Sequence, residues 1–187
     1  MNDDVRMGWF RRTAQAKGAV LMSIEPALEH LNRLVGSWTN EATHPAAPGL
    51  VVHGAVVVQC LEGERSLMRR ARSDHPDFPD SISITGFTER DRVDNAPGAD
   101  AAAGGKPRLS MHYFDSRGVF RVFEVSIDDE AWRIWRDAPG FSQRFTGTFA
   151  DDGKTLVGCW HLCQDDIHWH DDLEITYRRR HDEYNSR

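Results

Sequence analysis

The sequence predicts an all-β protein, an up-and-down antiparallel β-barrel of about ten strands with a short N-terminal helix closing one end. Three observations carry this. The stretch His112–Val125, HYFDSRGVFRVFEV, reads as two strands folded on the turn Asp115-Ser116-Arg117-Gly118. Asp at the first turn position and Gly at the fourth suit a type I turn followed by a positive-φ bulge. The same grammar then repeats, with turns DDE, DAPG, DDGK and QDDI and no helical period between the strands. Finally, so many short strands imply a sandwich or an up-and-down barrel, and closure removes the edges they would otherwise expose.

Taken in order, residues 1–22 are basic and without a clear period, so a poorly ordered extension is expected. The barrel domain is expected over 23–180, followed by a C-terminal tail at 181–187. Ser23–Leu34, SIEPALEHLNRL, has the marks of a helix. Ser23 can cap it, Pro26 is tolerated in the first turn, and Leu28, Leu31, Leu34 and Val35 form one stripe. Gly36 stops it. Strands are expected at 36–43, 51–61, 66–73, 81–88, 109–114, 119–127, 131–136, 141–150, 155–163 and 168–179. Two Pro-rich loops, HPAAPG at 44–49 and DHPDFPD at 74–80, separate the early strands. The Ala/Gly/Pro stretch within 92–107 reads as a flexible loop, because strands continue beyond it.

Composition narrows the function classes. A chain of 187 residues suits one domain, and a net charge of −6 implies no basic surface for nucleic acid. No apolar run approaches the ~20 residues that span a bilayer, and the start lacks a secretory signal's apolar core. Cys60, Cys159 and Cys163 make an odd number, and a four-residue separation along a strand puts the last two roughly 13 Å apart, too far to bridge. A cytoplasmic location is expected. Cys60, on a valine-rich strand, is expected in the core.

The helix followed by Gly36-Ser37-Trp38 resembles the GxW signature of lipocalin-like proteins. In that family the Trp plugs the closed end of the barrel and a late basic residue packs over it. Arg178, Arg179 and Arg180 stand at the matching place. The segments LVGSW, EATHPAAPG, LEGER, DHPDFPDS, HYFDSRGVFRVFEV, WRDAPGFSQRFTGTF, DDG and LEITYRR together resemble an uncharacterised bacterial lipocalin-like family over about residues 26–180. Nitrobindins, ten-stranded barrels that bind haem through a His on the last strand, are a more distant likeness. The matching position here holds Asp172, or Glu174 in a shifted register, and neither suits an axial ligand. His170 lies two residues away, and no haem is expected.

Candidate site residues follow from alternation and barrel geometry. In an up-and-down barrel alternate turns share one end, so the mouth opposite Trp38 carries HPAAPG, DHPDFPD, DSRG, DAPG and QDDI, with His44 and His75 among them. Leu109, Met111 and Tyr113 form one inward face. Val119, Arg121, Phe123, Val125 and Ile127 form the next, then Trp132, Ile134 and Arg136, then Phe141, Gln143, Phe145 and Phe149. Arg121, Arg136 and Gln143 thus interrupt apolar faces, with the Tyr113 and Tyr177 hydroxyls nearby. Either these groups pair with one another structurally, or they orient an anionic or carbonyl-bearing ligand.

The hairpin Cys159–Asp172 offers a second constellation. A two-residue Asp165-Asp166 turn would set Cys163 opposite His168 and His161 opposite His170. All four would share a sheet face of the kind that binds zinc, although that face is expected to be the outer one. No GxSxG elbow, P-loop or GxGxxG occurs in the sequence.

The resulting expectation is a barrel that binds a small hydrophobic or amphipathic ligand in a mainly apolar cavity, with no predicted cofactor. The alternatives are an enzyme in the same cavity using His112, Tyr113 or Arg121 in acid–base or oxyanion-stabilising roles, a haem- or metal-binding barrel, and an interaction module. No nucleic acid or membrane partner is expected; a homodimer is left open.

Overall fold

Ten antiparallel strands close into a barrel among the described residues. They are β1 Gly36–Thr43, β2 Val52–Cys60, β3 Ser66–Ser73, β4 Ser81–Thr88, β5 Arg108–Asp115, β6 Phe120–Ile127, β7 Ala131–Arg136, β8 Ser142–Ala150, β9 Thr155–Cys163 and β10 Trp169–Arg179. Each strand pairs with its sequence neighbours, and β1 pairs with β10 to seal the circle. The computed structural model describes residues 27–61, 65–88, 108–150 and 153–180. The expectations for 1–22, Ser23, Pro26, the turns at 62–64 and 151–152, the 92–107 loop and the 181–187 tail lie outside the described residues.

The organising hairpin folds as its sequence dictates. Gly118 N–H donates to the Asp115 carbonyl at 3.0 Å, Asp115 N–H donates to the Val119 carbonyl at 3.1 Å, and Gly118 takes φ 80°. Only a residue without Cβ adopts that angle at little cost. The hairpin register pairs Tyr113 with Arg121 and Met111 with Phe123, so both apolar sets face one side.

The core fills the end of the barrel where the helix sits. Helix α1 (27–32) delivers Leu31, and the following turn delivers Leu34, onto Trp38, Val58, Leu67, Leu109, Ile127 and Leu156. Trp38 is 3% exposed and its Nε1–H donates to the Leu34 carbonyl at 2.9 Å. Arg33 anchors the same end by donating to the carbonyls of Asp128 and Asp129 at the β6–β7 turn. Higher up, Gly147 pairs with Gly158 and leaves a slot that the Phe145 ring occupies; a Cβ at either glycine would strike that ring.

Three expectations are corrected. Cys60 ends β2 at the barrel rim, exposed, with its thiol near the Asn32 side chain instead of in the core. His112 faces outward beside Phe120, because its strand neighbours Met111 and Tyr113 take the inner positions. On β4, to which the sequence assigns no inner face, Ser83 and Thr85 point inward and Ile82 and Ile84 outward. The last hairpin runs one residue out of the expected register: Cys163 pairs with Trp169, Leu162 with His170 and His161 with Asp171. The connection spans 164–168, and Asp166 takes φ 63° within it, so a two-residue turn does not form. A β-bulge between Asp171 and Glu174 then restores the phase of β10, which lets Ile175 and Tyr177 reach the interior.

Candidate functional site

The end opposite Trp38 is the open one, and a cavity of about 440 Å³ descends from it. That lies within the usual range of small-molecule sites, roughly 300–1,000 Å³. Phe78 and Phe141 from the mouth loops stand at its rim, and Met111, Phe123, Ile134 and Phe145 form apolar wall. Beneath it, against Trp38 and Leu34, lies a separate void of about 30 Å³.

A polar row crosses this apolar wall. The strand register places Arg69 beside Ser83, Ser83 beside Tyr113 and Tyr113 beside Arg121. Arg121 Nη1 donates to Gln143 Oε1 at 2.6 Å, and its guanidinium carbon sits 4.6 Å from the Phe141 ring centroid. Burial, with Arg136 nearby, lowers the pKa of Arg121. Among the described residues no carboxylate comes within ion-pair distance of it.

Arg117 also lines the cavity, but it is committed. Its Nη2 meets Asp115 Oδ2 at 2.8 Å. Asp115 also accepts from the Tyr113 hydroxyl at 3.2 Å and from the backbone N–H groups of Arg117 and Val119. Burial alone would raise the Asp115 carboxyl; hydrogen bonds from the Arg117 side chain and from the Val119 and Arg117 backbone outweigh it and hold the carboxyl below its ordinary value. Burial first, and then the neighbouring Asp115 charge, raise the Tyr113 phenol.

Tyr113, Arg121 and Gln143 thus line the cavity together. Arg136 is adjacent but turned to its own strand end, where its Nη1 donates to the Phe141 carbonyl at 2.9 Å. His44 and His75 stand one contact behind the wall. His44 Nδ1 accepts from the Ala46 N–H, so its Nε2–H donates to Asp172 at 3.1 Å, and Asp172 is the residue that lines the cavity. The His75 ring packs edge-on against Phe78 at 5.7 Å. No histidine among the described residues lines the cavity, so the histidine that holds haem in nitrobindins has no counterpart on the described wall.

Sequence reasoning missed Arg69 and, although it noted Asp172 at the nitrobindin His position, did not count it among the ligand-binding residues. Adjacent arginines at 69 and 70 left the inner one ambiguous; only the alternation of Leu67, Arg69 and Ala71 separates them. The β10 bulge hid Asp172.

The four zinc candidates do not share one face. His161 and Cys163 keep the outer side of β9, but His170 pairs with the inward Leu162, and His168 sits in the loop with Nδ1 2.6 Å from Asp165 Oδ2. The register shift builds a different group. Donor atoms of Cys159, His161 and Asp171 lie within 4.8 Å of one another on the outer face. His161 Nε2 is 3.4 Å from Asp171 Oδ1. Burial, and then the charges of Asp171, Glu174 and Asp172, raise the Cys159 thiol.

No family model matches the chain, and no curated protein matches it in sequence. Solved structures do match its shape. Rv2717c from M. tuberculosis superposes with a TM-score of 0.55 at 13% identity, over 83% of this chain and 98% of that one. The two share the barrel fold. The S-type phycobiliprotein lyase CPES from Guillardia theta follows with a TM-score of 0.49 at 12% identity, over 83% of this chain and 93% of that one. Among the described residues no helix is long and apolar enough to cross a membrane.

Proposed function

We propose that the barrel binds a small amphipathic molecule, with its apolar body in the cavity and a carboxylate or carbonyl head at Arg121 and Gln143. The observation that carries this is Arg121 itself, a half-buried guanidinium in a mainly apolar wall with an amide for its partner and no carboxylate partner among the described residues. A buried cation is costly until an acceptor of opposite charge arrives, and the planar fork suits a carboxylate.

The experiment is native mass spectrometry of the purified protein for a co-purifying small molecule, with calorimetric titration of dodecanoate. A co-purifying amphiphile, or saturable 1:1 binding of dodecanoate, is expected. Absence of both would end the proposal.

Two finer readings accompany it. We read the Trp38–Arg179 contact as the GxW arrangement of lipocalin-like proteins, and the three free thiols as suited to a reducing cytoplasm. We also read Cys159, His161 and Asp171 as a zinc site on the outer face, supported by one sulfur, one nitrogen and one oxygen donor drawn together across β9 and β10.

A further inference from the structure

The floor of the cavity carries polar groups that a single head group at the mouth leaves unused. Arg69, Trp132 and Tyr177 line both the cavity and the small void beneath it. Arg69 Nη2 donates to the Tyr177 hydroxyl at 3.4 Å, a long bond, and no carboxylate among the described residues lies within ion-pair distance. Trp132 is 6% exposed and Ser83 is 1% exposed. Trp132 Nε1 and Ser83 Oγ have no hydrogen-bond partner among the described residues. Buried polar atoms are nearly always satisfied, so the unpaired Trp132 N–H, on the same floor as the loosely bonded Arg69 guanidinium, calls for an acceptor. Ser83 stands directly beside Arg69 in the register of β3 and β4.

We propose that the ligand is two-headed, an elongated amphiphile whose second acceptor group docks at Arg69, with Trp132 as a further donor. This rests on the binding proposal above and names the class of molecule. The register bounds the length. Arg69 and Arg121 are separated by three strand steps, which at ~4.8 Å each sets an upper limit of roughly 14 Å between their backbones around the curved wall. Met111, Phe123 and Phe145 supply the apolar surface for the body of the molecule. An α,ω-dicarboxylate of medium length has this chemistry, with both carboxylates ionised at neutral pH.

The test compares dodecanoate with dodecanedioate by calorimetry, on the full chain and on three variants. The unaltered protein should bind the dicarboxylate at least about tenfold more tightly, the scale of one charge-assisted hydrogen bond. Arg69→Met should collapse that preference to within about twofold while dodecanoate affinity stays. Arg121→Met should weaken both acids. Trp132→Phe removes one N–H and keeps the ring, so it should lower dodecanedioate affinity alone; it decides the matter if Arg69→Met does not fold. Equal affinities for the two acids would overturn the second head and leave the mouth site standing. A preference that survives Arg69→Met and Trp132→Phe would also overturn it. Binding of neither acid would overturn this inference, and with no co-purifying amphiphile the reading beneath it falls as well.

Discussion

Arg179 lies over Trp38, its guanidinium carbon 4.1 Å from the ring centroid. The two residues are also cross-strand partners in the β1–β10 pairing that closes the barrel. Arg179 donates to the carbonyls of Val35 and Arg33, the latter at 2.6 Å, so one side chain joins the helix end, the first strand and the last strand. Of the three late arginines, Arg179 is the one that caps the indole.

Arg179→Met should therefore destabilise the protein without touching the cavity. The charge-assisted hydrogen bonds to the Val35, Arg33 and Gly153 carbonyls and the cation–π contact with Trp38 are lost. The expected loss is about 2–4 kcal/mol in urea unfolding. Arg179→Lys should recover less than half, since a point charge cannot stack and fork at once. Full stability in either variant would contradict this role.

At the mouth, Arg121→Met should retain the fold, because Met keeps apolar bulk beside Phe141 and Phe123. Dodecanoate affinity should fall by about 1.5–3 kcal/mol. Gln143→Leu should behave differently: it leaves the guanidinium without its 2.6 Å acceptor and lowers the melting temperature of the ligand-free protein. A large stability loss in Arg121→Met with unchanged affinity would make the pair purely structural.

Acid should expose the β6–β7 turn. Backbone N–H bonds from Ala131, then the Arg133 side chain and Glu130 N–H, lower the Asp128 carboxyl from 3.8 to about 2. A depressed carboxyl contributes stability above its unfolded pKa and loses it as pH falls through the folded one. Asp128→Asn should thus be less stable than the unaltered protein at about pH 5, and the difference should shrink as pH falls from roughly 4 to 2. Urea midpoints measured across that window check the sign; a gap that widens in acid would refute it.

The outer-face group predicts a spectroscopic outcome. Cobalt(II) added to the reduced protein should give a thiolate-to-metal charge-transfer band, displaced by zinc and absent in Cys159→Ser and His161→Ala. His168→Ala and His170→Ala should keep the band, because neither residue belongs to the group. A band lost in His170→Ala and kept in Cys159→Ser would restore the unshifted register.

The chain's own alternation determined the strands, the Asp115–Gly118 turn and the inward set of Tyr113, Arg121, Phe123 and Gln143. Those signals are local: the pleat repeats every second residue, and a turn's backbone angles demand particular side chains. The stripe ending at Leu34 and the Trp two residues beyond Gly36 likewise announced the closed end. Alternation divides a strand into two faces, but it does not say which is inside when both carry apolar groups. Ser83 and Thr85 face in and Ile82 and Ile84 face out only because β4 must keep the register of β3 and β5. The same requirement put Arg69 inside and Arg70 outside. In the last hairpin, Asp166 and the bulge at Asp171 and Glu174 shift the register by one residue. That shift separates His161 from His170 and brings Asp171 to Cys159. Which polar groups meet is a property of strands distant in sequence, and closure of the barrel decided it.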